Sequence, residues 1–177
     1  MNLGKWHQYY VKEKLTTLIA ITTVILAVVA TLASFKAAGY GNKMVLMQNQ
    51  ASDQWNFYQA KGIKETEYQT QRDMMLLVSG QFSNEALQQK IAEYDKTVQR
   101  YSKEKDEIMA DAKKFEQERD QAKVFNSMFG QALIFLQVGI LLTSLASINK
   151  TAAYWYMGGA FGLIGIFYFA YTMFLSL

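Results

Sequence analysis

Three long stretches of this chain carry no charged residue and no histidine: 15–35, 124–149 and 151–177. A helix needs roughly 20 mainly apolar residues, at 1.5 Å each, to cross the hydrocarbon core of a bilayer. All three stretches clear that length, so three transmembrane helices are expected. A cleaved signal peptide is the alternative for the first stretch, with Lys12 and Lys14 as its basic region, but its apolar core is long for a signal. The second stretch contains Asn126, Gln131 and Gln137 and would also suit a soluble core helix. The short link to the strongly apolar third stretch favours a membrane hairpin.

The expected layout is a short basic arm (1–14), a first span (15–35), a polar region (36–123), a second span (124–148), a short turn (149–151) and a third span (152–177). The chain has no proline. Proline breaks helices and marks turns, so its absence points to long helices. The expected fold class is all-α: an integral membrane protein with three transmembrane helices and a projecting antiparallel helical hairpin, a coiled coil.

Lysine and arginine near span ends bias orientation toward the cytoplasm. Lys5, Lys12 and Lys14 precede span one, and Lys150 sits in the turn, on the same side. The polar region balances basic against acidic residues and is too long for the rule to read well. Trp6, Tyr9 and Tyr10 before span one, and Tyr154, Trp155 and Tyr156 opening span three, would form an aromatic belt at one face. The expected localisation is the bacterial inner membrane, with the N-terminus cytoplasmic and the hairpin outside, in the periplasm. Lys113, Lys114, Arg119 and Lys123 crowd the other end of span two and work against that orientation.

From Leu87 a strict 4–3 spacing runs Leu87, Ile91, Tyr94, Val98, Tyr101, Lys105, Ile108, Ala112, Phe115, Arg119 and Ala122. It then enters span two as Asn126, Phe129, Leu133, Leu136 and Ile140. This is the heptad seam of a left-handed coiled coil. Only Lys105, Arg119 and Asn126 interrupt its apolar character. One helix from about 84 to about 148 follows. The helix that begins in span one is expected to continue toward Val78, with Gly39 and Gly41 as kink points. Its seam, Met44, Met47, Ala51, Trp55 and Tyr58, fades into the polar "KGIKETEYQTQRD". Ser79–Gly80 reads as a C-cap and Ser83 or Asn84 as an N-cap, joined by a short turn. The charged run 93–121 reads as a solvated face with ion pairs along the helix.

Catalytic chemistry is sparse. The single histidine and the absence of cysteine remove the usual soft metal ligands. No phosphate loop is present, serine and threonine lack a nearby base, and His7 reads as an interfacial side chain. Glu104, Glu107 and Asp111 share a helix face but are surrounded by Lys103, Lys105 and Lys114. The chain is read as not an enzyme, without cofactor or metal. A net charge of +3 is no nucleic-acid signature. The spans hold no ionisable side chain at depth, which counts against ion-coupled transport. Small residues four apart at Ala30, Ser34 and Ala38, at Ala33, Ala37 and Gly41, and at Gly158 and Gly162 suit close helix packing. Gln131 and Gln137 are placed to cross-link helices.

The most distinctive stretch is "QNQASDQWNFYQAKGIKE", 48–65. On a helix, Gln48, Ala51, Trp55, Tyr58 and Gly62 share one face, expected to pack within the hairpin. Counting back from the turn sets Trp55 opposite Ile108 to Ala112. Asn49, Ser52 or Asp53, Asn56 and Gln59 line the adjacent face. Gln48, Asn49, Ser52, Asp53, Asn56 and Gln59 are therefore candidates for an oligomer or partner interface, because buried amides must find hydrogen bonds. Plain solvated amides and a ligand groove remain the alternatives.

Residues 48–64 resemble the signature of the bacterial domain-of-unknown-function family 4337. The wider layout is similar too, including "RDQAKVFNSMFGQALIFLQVGI" and the aromatic opening "YWYMGG". Members often have an acidic, His-rich arm where this chain has "MNLGKWHQYYVKEK", and several arginines in the last turn where this chain has Lys150. The resemblance implies a cytoplasmic turn and an outside polar region. It carries no catalytic role. The functional expectation is an architectural or scaffolding protein that assembles as a homo-oligomer in the bilayer. A pore or energy-coupling subunit, and a sensor or accessory protein binding an unidentified partner, are the rival classes.

Overall fold

The computed structural model describes the backbone of residues 3–79 and 85–177, with side chains from Glu13 onward. The expected turn at 80–83 and the cap at Ser83 or Asn84 lie outside the described residues. So do the side chains of Lys5, Trp6, His7, Tyr9, Tyr10 and Lys12. Three helices make up the described chain: α1 (Leu3–Ser79), α2 (Glu85–Asn149) and α3 (Ala152–Leu175). All three contain a segment long and apolar enough to cross a membrane. Helix α1 starts inside the stretch read as an arm and runs through Gly39 and Gly41 without a break. Glu85 in the first turn of α2 suits the positive end of the helix dipole. Helix α2 ends where Lys150 takes a left-handed backbone (φ 50°), and Thr151 then caps α3 in an extended conformation.

The helices divide into two compact units, Met1–Lys43 with Gln121–Leu177, and Met44–Asp120. In the first, Leu26, Ala30, Ala33 and Leu136 form a buried cluster flanked by Val29, Leu133, Ile140, Ile166 and Phe169. Phe129 is fully buried, its ring 5.7 Å from Tyr40 and 5.8 Å from Phe169. Helix α3 meets α2 backbone to backbone: a Cβ at Gly158 would lie 2.9 Å from the Gly139 carbonyl oxygen and 2.8 Å from Thr143 Cγ2. Only glycine fits such an approach. The outward faces of this unit remain apolar, with Leu18, Ile21, Val28 and Phe35 on α1, Ile134 and Leu141 on α2, and Leu163, Phe167 and Phe174 on α3 all exposed.

In the second unit α1 and α2 run antiparallel. Gln48 meets Arg119 at one end and Arg72 meets Asp95 at the other. The buried apolar core is thin: Met47 and Ala51 from α1, and Val98, Tyr101 and Ala112 from α2.

Candidate functional site

The seam of the second unit comes first, because it decides which face of α1 is left over. Ala51 and Ala112 are fully buried, while Trp55, Tyr58 and Ile108 are half-buried. The Trp55 indole N–H donates to Glu116 Oε1 at 3.0 Å, and its ring meets Tyr58 edge-on at 5.5 Å. Gln48–Arg119 and Gly62–Lys105 bracket Trp55 and set it level with Ala112, from where the long indole reaches Glu116 one turn further on. Further along, the stretch that reads as polar and seamless turns out to be a matched set. Lys61 pairs with Glu104, Lys105 Nζ with Glu65 at 2.8 Å, and Arg72 with Asp95 at 2.8 Å. These ion pairs run between the helices, in addition to Lys90–Glu93 and Arg100–Glu104 along α2.

Aromatic rings sit among the charges. Lys105 Nζ lies 4.9 Å from the Tyr58 ring centre, Lys61 Nζ 5.2 Å from that of Tyr101, and Tyr68 packs edge-on against Tyr94. Ring faces are negative, so each cation gains a second favourable partner. The hydrogen bond to Glu65 raises the Lys105 pKa above its ordinary value, against the lowering effect of its partial burial. The bond from Lys61 holds the Glu104 carboxyl below its ordinary value.

All three polar interruptions of the α2 heptad therefore have a partner on α1. Lys105 has Glu65; Arg119 Nη1 donates to Gln48 Oε1 at 2.8 Å; Asn126 Nδ2 donates to the Ala37 carbonyl at 2.7 Å. Polar seam residues of this kind fix helix register. Gly41 makes room for the last: a Cβ there would lie 3.1 Å from Asn126 Nδ2.

Gln48, Asn49, Ser52, Asp53, Asn56 and Gln59 are all exposed. The six are not equivalent. Gln48 Nε2 donates to Ser52 Oγ at 3.3 Å while its oxygen takes the Arg119 bond, so these two belong to the edge of the seam. Asn49, Asp53 and Asn56 continue a separate 4–3 stripe with Leu46, Ala60 and Ile63. Leu46 is 53% and Ile63 70% exposed, and Phe57 beside the stripe is 59% exposed.

A family model matches residues 15–175, both units included. The chain belongs to the family described as Domain of unknown function (DUF4337). No curated protein matches it, and no solved structure does. Within the DUF4337 match lie the amide-rich stretch, the ion-paired seam and the packing of the charge-free segments. Of the predicted small-residue positions in that packing, Ala30, Gly158 and Gly162 are buried and Ser34 is exposed.

Polar links join every pair of helices in the first unit of this DUF4337 chain. Thr23 Oγ1 donates to the buried Thr143 Oγ1, Trp155 Nε1 to Thr22 Oγ1, and Tyr168 Oη to Gln131 Oε1. Gly139 and Thr143 were not singled out from the sequence, although their four-residue spacing mirrors Gly158 and Gly162 across the helix pair. Among the described residues no group of three or more His, Asp or Glu side chains is arranged to hold a metal ion.

Proposed function

We propose that this DUF4337 chain is an architectural membrane protein that assembles as a homo-oligomer in a bacterial inner membrane. In this reading the three charge-free segments cross the bilayer. Residues 44–120 form a coiled-coil hairpin outside it, on the periplasmic side, and the N-terminus and 149–151 are cytoplasmic. The largely apolar exterior of the first unit supports the membrane placement, since water-soluble units rarely leave such surface bare.

The observation that carries self-assembly is the outer stripe of α1. Its inner face is already closed by the ion-paired seam, yet Asn49, Asp53, Asn56, Leu46 and Ile63 repeat at heptad spacing on the exposed side. A second helix with the same stripe would satisfy the amides and cover the apolar ends. The exposed Phe57 supports a second reading, a partner protein docking on the same stripe.

Mass measurement of the chain in detergent and in nanodiscs tests the proposal. A multiple of the 20.2 kDa chain mass is expected, and Asn56→Lys with Asp53→Lys should lower it. A monomer in lipid at all concentrations would overturn self-assembly. Reporter fusions between α1 and α2 test the orientation; an outside signal is expected.

A further inference from the structure

Most polar side chains within the charge-free segments of the first unit find a hydrogen bond inside the chain, and Gln137 does not. Thr22, Thr31, Ser144 and Thr172 each return a hydroxyl to the carbonyl four residues back, and Thr23 donates to Thr143. Gln131 accepts from Tyr168, and Asn126 donates to Ala37. Gln137 lies midway through the charge-free 124–149, is exposed, and makes no side-chain hydrogen bond among the described residues. Unlike these hydroxyls, the Gln137 amide makes no bond to a carbonyl of its own helix among the described residues.

Gln137 lines an open groove of about 630 Å³ between α1 and α2, opposite Ala30, Ser34 and Ala38 and beside Leu133 and Ile140. Ser34 also makes no side-chain hydrogen bond among the described residues. The nearest charge is Lys36 on α1, between the groove-lining Phe35 and Ala38 and about 9 Å along the helix from Ala30 at 1.5 Å per residue; Lys123 and Lys150 are roughly 20 Å from Gln137 along α2. With these segments in a bilayer, acyl chains offer Gln137 no partner.

We propose that this groove is where a second copy of the chain docks, with the two Gln137 amides hydrogen-bonded to each other across a two-fold axis along the membrane normal. This rests on the membrane placement above and adds a second contact to the stripe on residues 46–63. The occupant follows from chemistry and symmetry. An amide both donates and accepts, so it is its own complement. A copy of this chain in the same orientation brings an amide to the same depth automatically. The small Ala30 and Ala38 let the incoming backbone approach, and the Ser34 hydroxyl adds a donor and acceptor on the groove wall.

The chain has no cysteine, so a single introduced thiol reports cleanly. The full chain carrying Ser34→Cys, reconstituted in phosphatidylethanolamine–phosphatidylglycerol vesicles at low protein-to-lipid ratio, should form a disulfide-linked dimer on mild oxidation. Leu163→Cys, on the exposed face of α3, should not. Adding Gln137→Leu to Ser34→Cys should lower cross-linking roughly threefold to thirtyfold, the range for one or two membrane hydrogen bonds. Helix content by circular dichroism should stay unchanged. Equal cross-linking at residues 34 and 163, or no response to Gln137→Leu, would overturn the inference. If Asn56→Lys with Asp53→Lys lowers the mass while Ser34→Cys fails to cross-link, self-assembly stands and this contact falls. A chain monomeric in every condition removes both.

Discussion

The same two helices, α1 and α2, are joined in two chemically different ways in the two units. In Met44–Asp120 they are held by ion pairs, cation–aromatic contacts and a thin line of buried side chains. In the other unit the charge-free segments meet without ion pairs. There the helices approach through glycine and alanine, and the links are hydroxyls and amides given to backbone carbonyls or to one another. The difference teaches what the surroundings of each unit can supply. Where water is present, a long ionised side chain can reach a partner while its head stays hydrated, and apolar burial drives the rest. Where the outside is apolar, burying apolar surface gains little. Close packing and satisfied hydrogen bonds must then hold the helices.

The largest expected effect tests the packed unit. Gly158→Leu would drive a side chain into the Gly139 carbonyl and the Thr143 methyl, both under 3 Å from a Cβ. Overpacking against backbone cannot be relieved by a rotamer change, and a loss of about 3 kcal/mol is expected. Gly39→Ala, with nothing within 4 Å, is the matched control and should be neutral or slightly stabilising. Thermal unfolding in detergent reads both. Equal effects would mean that the α2–α3 approach is not what holds this unit.

Trp55→Ala ranks next and tests the other unit. It removes a half-buried ring and the partner of Glu116, for about 2–3 kcal/mol, below the range for a fully buried tryptophan. Hydrogen exchange should quicken in 44–75 and 94–120 and stay unchanged in 15–35. A change of the same size in both regions would erase the distinction between the two units.

A smaller effect separates pairing from burial. Lys105→Met leaves Glu65, whose side chain is 13% exposed, without its partner, and should cost about 1–2 kcal/mol, between the exposed and fully buried limits. Adding Glu65→Met should restore most of the loss, because an apolar pair suits a seam. Asn126→Leu offers no such rescue, since the Ala37 carbonyl is already engaged in its own helix. Denaturant unfolding of the single and double variants measures the coupling.

The count of three helices and the absence of strands in the described chain were legible in the charge-free stretches and in the unbroken 4–3 spacing of α2. The polar seam of α1 was not. Glu65 and Arg72 look like surface residues on one helix, and only the opposing Lys105 and Asp95 make them seam residues. The level of Trp55 was legible by counting from the connection, since Gln48–Arg119 and Gly62–Lys105 bracket it at Ala112; its bond to Glu116, one turn further, depends on the reach of the indole and was not. Gly139 carried too weak a signal alone: one glycine in an apolar run acquires meaning only beside Gly158. The six-residue amide face divided in two for a similar reason. Arg119 on the returning helix draws Gln48 and Ser52 into the seam and leaves Asn49, Asp53 and Asn56 outside it, as well as Gln59, which is exposed and makes no side-chain bond among the described residues.

The smallest effect is a pH response confined to the ion-paired unit. Glu104 faces Lys61, Lys64 and Arg100, and the hydrogen bond from Lys61 is the main reason its pKa lies below the ordinary 4.5. A carboxyl with a depressed folded pKa contributes stability that is present above the unfolded value and lost as pH falls through the folded one. Lys105 has the opposite sign. Its pKa is raised above 10.5, so its contribution is present below that value and lost as pH rises through the folded one. Between these limits the seam should be insensitive to pH. Below about pH 4.5, a range set by the ordinary glutamate value, hydrogen exchange in 55–72 and 95–108 should quicken, and Glu104→Gln should flatten the response. High salt should weaken it, since these side chains are partly exposed. The charge-free 15–35 and 124–149 hold nothing that titrates, so their exchange should not change over the same range. Parallel acid responses in both units would mean that the second unit transmits its strain to the first, and that the two modes of joining α1 to α2 are energetically one.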